Sequence, residues 1–303
     1  MVYRTVRFSD YSVVFHNDVE LIMPNFPSPL DPMEVGTDYN LTGQELLVSL
    51  CNLFQEMNKP KNHIDTRRRI IQWCRENVHP YDIDFLYELA TSLDPGTVAS
   101  WQLQEEARFE PEDFIHDLGN LATAYSYGFA LSQLRHLGNT KPARELFYEG
   151  RLRDGLPFFE QYRSIESDSE YVMAVTADYK EHLIILIDLF PDFRMRLKLD
   201  DKTGKIMYGA DVKSVFDIAW YSFSRMVADV APPEDEDLNY MMDSQGKIMS
   251  CLCCGKFFVR HSSRQLYCKD SNCQAERNRK NRRATYARQK AEKVQGEAEK
   301  AKK

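Results

Sequence analysis

The 303-residue chain has no apolar run long enough to span a bilayer. Its best stretch, Leu183 to Phe190, is short and contains Asp188, so no membrane is expected as a partner. The first residues, Met1-Val2-Tyr3-Arg4-Thr5-Val6-Arg7, lack the apolar centre of a secretory signal, and a cytoplasmic location with reduced thiols is expected. No P-loop or Rossmann glycine pattern is present, and no His-Glu-x-x-His. None of the seven histidines is followed by Glu two residues on, as a zinc deaminase requires. These absences argue against an enzyme. Aliphatic and aromatic residues are not scarce: 43% of the chain is hydrophobic, enough for a real core, so global disorder is excluded.

Charge is distributed unevenly. From Lys256 to Lys303 there are 15 Lys and Arg against 5 Asp and Glu, or +10; Met1 to Gly255 carries 24 against 41, or −17, giving −7 for the chain. An acidic body with a basic tail suits a polyanionic partner; an ordinary solvated terminal helix would show the same excess.

The N-terminal stretches Tyr3 to Phe8 and Tyr11 to His16 alternate like strands and are expected to pair across Ser9-Asp10, with Glu20 to Met23 as a third extended piece. Pro24, Pro27, Pro29 and Pro32 then predict a rigid, non-helical connector. Helices are predicted from about Gly43 to Asn58, behind a Thr42-Gly43-Gln44-Glu45 capping box, from Asp65 to Asn77, and from Asp82 to Leu93. Further helices are expected from Pro111 to near Gly138, Lys141 to Tyr148, Phe158 to Ile165, Tyr171 to Asp188 as a core helix, and Asp211 to Val230. Arg67, Arg68 and Arg69 read as one solvated face with salt bridges, and Cys51 as a buried thiol. Arg194 to Leu199 and Lys205 to Tyr208 predict a half-buried hairpin.

The acidic, proline-containing segment Pro232 to Asp237 predicts a linker. It would divide an acidic helix-rich body, residues 1–231, from a finger with a basic helix, residues 238–303. Beyond it, Leu238 to Met242 and Lys247 to Cys251 are expected to form a hairpin ending on the first ligand. The fold class that follows is α+β, mostly α, with small β-hairpins and a C-terminal four-cysteine finger.

Five of the seven cysteines lie in that finger. Cys251-x2-Cys254 followed by Gly255 has the form of a zinc knuckle, and Cys268-x4-Cys273 supplies a second pair. One structural Zn2+ held by Cys251, Cys254, Cys268 and Cys273 is expected. Adjacent Cys253 is the spare thiol and His261 the reserve ligand. Four thiolates close the coordination shell, which points to scaffolding rather than catalysis. The acids Glu105, Glu106, Asp113 and Asp117 of the body are read as solvated helix surface.

After Cys273 the chain runs Gln274-Ala275-Glu276-Arg277-Asn278-Arg279-Lys280-Asn281-Arg282-Arg283-Ala284-Thr285-Tyr286-Ala287-Arg288. A metal knuckle that fixes the start of such a helix aims a row of cations at phosphates. Arg264, Arg277, Arg279, Lys280, Arg282, Arg283 and Arg288 are the candidate phosphate contacts, and Asn278 and Asn281, one turn apart, are candidate readers of base edges. The expected partner is nucleic acid, duplex DNA before RNA; a protein partner or small effector is left to the body.

Cys251, Cys254, Phe258, Arg264, Tyr267-Cys268, Cys273 and Tyr286-Ala287-Arg288 together resemble the CGNR-type zinc fingers of bacterial proteins. The name-giving Cys-Gly-Asn-Arg is replaced here by Cys273-Gln274-Ala275-Glu276-Arg277, which marks a divergent relative. In that family the finger follows a helix-rich domain called ABATE, and such proteins are regarded as transcriptional regulators. The resemblance therefore implies a bacterial, zinc-dependent DNA-binding regulator whose body senses a ligand or partner. A zinc-scaffolded adaptor for protein or RNA is the alternative.

Overall fold

The computed structural model describes residues 3–25, 30–35, 43–58, 65–92, 105–137, 161–199, 206–228, 248–259 and 265–300. The chain divides into two units, Met1–Gly246 and Lys247–Lys303. The predicted linker at 232–237, the 238–242 strand and the 141–148 helix lie outside the described residues. The class is the expected one, helix-rich with small antiparallel strand pairs.

The first unit opens on four strands: β1 (Tyr3–Phe8), β2 (Tyr11–His16), β3 (Val19–Pro24) and β4 (Leu30–Val35). Their pairing differs from the expected one. β2 pairs with β3, and β1 pairs with β4. The two-residue turn between β2 and β3 is Asn17-Asp18, with φ of 50° and 64°. Positive φ at both central residues matches the twist of a tight hairpin, and Asn and Asp tolerate it better than most side chains. Asp10 instead accepts a backbone bond from Asn25 N–H at 3.1 Å and pairs with Arg75. The proline-rich connector thus contains a strand, in which Pro32 lies opposite Val6. Among the described residues β4 pairs with β1 alone, and a missing N–H is tolerated on the outer edge of such a strand.

Helix α1 (Gly43–Met57) buries Leu46, Leu47, Leu50 and Cys51 as one stripe. Burial pushes the Cys51 thiol well up, as expected of a structural cysteine. Helix α2 (Thr66–Glu76) begins where the Asp65 carboxylate accepts from Arg67 N–H at 3.1 Å, and it ends at Asn77. The Arg67 to Arg69 run keeps its expected salt bridges but is less solvated than expected: Arg68 is exposed, Arg67 is half-buried and grips Glu20, and Arg69, with its side chain 11% exposed, lies 3.6 Å from Glu56. Then follow α3 (Ile83–Ser92), α4 (Pro111–Leu137) and α5 (Asp168–Asp188), the hairpin β5 (Met195–Leu199) with β6 (Ile206–Ala210), and α6 (Val215–Ala228). Ser214 and Asp217 cap α6 reciprocally, through Asp217 N–H to Ser214 Oγ at 3.1 Å and Ser214 N–H to Asp217 Oδ2 at 2.9 Å. No described helix is long and apolar enough to cross a membrane.

An aromatic cluster centres the core. Phe114 of α4 is fully buried, with ring centres 5.1 Å from Phe216, 5.7 Å from Trp73 and 6.0 Å from Phe109. Helix α5 departs from its expected burial. Only Tyr171, Val175, His182 and Leu186 are buried, while Met173, Ile184 and Ile187 are each more than half exposed. A helix apolar on several sides does not reveal from composition which side is covered. The β5–β6 hairpin is likewise more open than half-buried, with Met195, Leu197 and Ile206 exposed. His182 is held between Tyr127 Oη at 2.6 Å and Tyr162 Oη at 3.0 Å, and Tyr162 donates onward to Asp178 at 2.7 Å.

His79 gives this unit a pH response. It is 1% exposed, its Nδ1 is 3.2 Å from Tyr11 Oη, and burial pushes its pKa down from 6.5 to about 3. The folded state therefore refuses a proton that the unfolded chain accepts. This contribution to stability is full above pH 6.5 and is lost progressively as pH falls toward about 3. Denaturant midpoints measured across that window should fall with pH more steeply in the parent than in His79→Gln.

Candidate metal centre

The second unit is built from two short strands, a pair of cysteine turns and one long helix. β7 (Ile248–Ser250) pairs antiparallel with β8 (Phe257–Val259), with Ser250 opposite Phe257. The observed partner of the strand leading to Cys251 is thus the segment after the knuckle. Between them the chain reverses through Cys251 to Lys256: Cys251 N–H donates to Lys256 O at 2.8 Å, and Gly255 N–H to Cys251 O at 3.0 Å. Gly255 has φ of 76°, and an added Cβ would meet nothing within 4 Å. The demand for glycine here is one of backbone conformation, not of space.

The Sγ atoms of Cys251, Cys254, Cys268 and Cys273 all lie within 4.8 Å of one another, and those of Cys254 and Cys268 are 3.8 Å apart. A tetrahedral ion with metal–sulfur bonds of about 2.3 Å has sulfur–sulfur edges of about 3.8 Å. The cluster therefore has the dimensions of a four-thiolate site and could hold a metal ion. Cys251 and Cys273 are buried, Cys268 nearly so, and Cys254 faces outward. Cys253 is exposed and stands outside the group. His261 and Arg264 fall outside the described residues.

The backbone prepares Cys251 for ligation. The Cys268 and Cys253 N–H groups lie 3.4 Å and 3.5 Å from its Sγ. Burial pushes this thiol up, but backbone N–H bonds from Cys254, Cys268 and Cys253 outweigh it and bring its pKa to about 7. Cys268 is pushed up by burial, against a backbone bond from Asp270 that lowers it, and Cys273 is pushed up by burial and then by the neighbouring thiols. Four thiols so placed cannot all ionise without a cation among them, so the chemistry of the donor set fits a metal as the geometry does.

The last ligand belongs to helix α7 (Ser271–Lys300). Asp270 caps it, its Oδ1 accepting from Asn272 N–H at 2.9 Å and Cys273 N–H at 3.3 Å. Gln274 Nε2 donates to the Cys268 carbonyl, and Arg277 Nη1 reaches Gln274 Oε1 at 3.3 Å. Asp270 and Gln274 are thus structural parts of the site that ligand spacing did not single out. Arg277, Asn278, Arg279, Lys280, Asn281, Arg282 and Arg283 all lie exposed on α7, and Arg288 lies further along it. Arg279 pairs with Glu276.

Of the acids in the body, Glu105, Glu106 and Asp113 are exposed. Asp117 lines a cleft of about 410 Å³, where Tyr81 Oη donates to it at 3.0 Å. Asp217, on the same cleft, is engaged in capping α6. No protein-family model, no curated protein and no solved structure matches the chain. Of the resemblance to CGNR-type fingers, what the structure carries is the cluster of four cysteines.

Proposed function

We propose that the C-terminal unit is a zinc-scaffolded DNA-binding element of a transcriptional regulator, and that the acidic body senses a ligand or partner. The observation that carries this reading is a closed set of four thiols whose last member sits in the first turn of a helix bearing a row of exposed cations. Thiolate donors in a tetrahedral set favour zinc. When bound, the ion would supply a cross-link between the knuckle, the second cysteine turn and α7, and no reaction. With four protein ligands no coordination position is left for substrate, so the ion would act as a scaffold and not as a catalytic centre. The resemblance to CGNR-type fingers supports the same assignment.

The test is a salt-titrated binding assay with duplex DNA, on the zinc-loaded full chain and on a deletion of Gln274 to Lys303 that keeps all four cysteines. The full chain should bind with log K falling steeply with log salt, by about 0.9 per phosphate contact, and the deletion should lose binding. Equal affinity with and without the helix would refute the proposal. The alternative of a zinc-scaffolded adaptor draws support from the exposed Met173, Ile184 and Ile187 of α5, and would show as a stable protein partner with no nucleic acid retained.

A further inference from the structure

The residues of α7 below the knuckle are not distributed evenly around the helix. At about 100° per residue, Asn278, Asn281 and Thr285 fall within roughly 60° of one another and form a neutral seam with hydrogen-bonding capacity. Arg277 borders this seam on one side at about 40° from Asn281, and Arg282 on the other at about 40° from Asn278. Arg279, Arg283 and Tyr286 continue the Arg282 side, and Lys280 lies beyond Arg277. All of these residues are exposed, Tyr286 at 71%. No Asp or Glu occurs from Arg277 to Gln289. The upper end of the seam is closed by Gln274, one turn before Asn278, whose amide is bonded to the Cys268 carbonyl.

We infer that this seam is a base-reading edge for the major groove of B-form duplex DNA, with adenine as the base read by Asn278 and Asn281; the inference rests on the DNA-binding reading above. A uniformly basic helix would fit any polyanion. A neutral amide seam between two cationic borders fits a groove floor lined by donors and acceptors, with a phosphate wall on each side. From Asn278 to Thr285 the helix advances about 10 Å, the length of about three base-pair steps. The major groove of B-DNA, about 12 Å wide, admits a helix of this diameter, whereas that of A-form RNA is too narrow. An Asn amide presents one donor and one acceptor side by side, the complement of adenine N7 and N6. Thr285 uses its hydroxyl on the Asn281 carbonyl, at 3.0 Å, so its methyl group is what it has to offer a thymine methyl.

Selection from a random duplex pool, carried out with the zinc-loaded full chain, tests this directly. The expected result is a short motif with adenine at two nearby positions. Asn278→Ala/Asn281→Ala should then lose roughly tenfold discrimination per adenine while keeping its affinity for unrelated duplex within about twofold. Arg277→Gln/Arg282→Gln should weaken binding to every duplex alike and lower the salt slope by about 2. An RNA duplex should compete poorly. If the chain binds DNA but selects no motif, or the asparagine variant selects the same motif as the parent, or RNA duplex competes equally, the seam is not a reading edge. Absence of any duplex binding at low salt overturns both this inference and the reading beneath it.

Discussion

Stripping the metal should unfold the C-terminal unit, release one zinc per chain, and abolish DNA binding together with it. The strands β7 and β8 are three residues each, and among the described residues the buried apolar side chains around them are few: Ile248, Phe257 and Phe258 beside the cysteines themselves. A core of that size cannot offset the conformational entropy of ordering the chain around it. On the proposed reading metal–thiolate bonding supplies the difference, and apparent binding free energies for structural zinc are about 10–16 kcal/mol near neutral pH. Cys251→Ser and Cys273→Ser should each behave like the stripped protein. Cys253→Ser should not, because Cys253 is exposed and outside the group of four. Hydrogen exchange over residues 248–283, read with and without a chelator alongside a colorimetric zinc count, measures the effect. Unchanged protection after the metal is gone would show that the cysteines are not the scaffold.

In the first unit the largest single effect is expected from Phe114→Ala. Phe114 is fully buried and touches Trp73, Phe109 and Phe216, which come from α2, the segment before α4, and α6. Removing the ring takes away transfer free energy and leaves a cavity walled by other rings, which cannot easily collapse into it. The cost should be about 3–5 kcal/mol. For a unit of this size that corresponds to a fall in Tm of about 10 °C. Phe114→Leu, which keeps most of the volume, should cost well under half as much. Thermal and urea melts of the two variants give the comparison, and a loss below about 1 kcal/mol for alanine would mean that the cluster is not the centre of the core.

Much of this fold is legible from local signals. Helices α1, α2 and α4 announce themselves through apolar spacing and through their ends, Asp65 and Pro111 among them. The cysteine spacing likewise places Cys251, Cys254, Cys268 and Cys273 together, because two close pairs on tight turns leave a short chain few alternatives. Strand pairing was harder. Asn17-Asp18 is a local signal for β2 with β3, but nothing near β1 says that Leu30–Val35 will return to it. The open side of α5 was hidden for a different reason: its Ile and Leu residues look alike whether or not something covers them. In the finger, the spacing rules name ligands only. Asp270 and Gln274, which tie the ligands to α7, contribute side-chain bonds to backbone groups of a kind that many Asp and Gln residues make.

Cys273 is at once a member of the four-cysteine cluster and a residue of α7. A hinge before the helix would set only where it starts. A ligand inside its first turn acts as a key in a shaft, and fixes how far the helix is rotated about its own axis. Adding a single residue between Gln274 and Arg277 would keep every cysteine, every cation and the helix itself, yet turn all that follows by about 100°. The face that the helix would offer a partner is therefore set by a count of residues from the four-cysteine cluster.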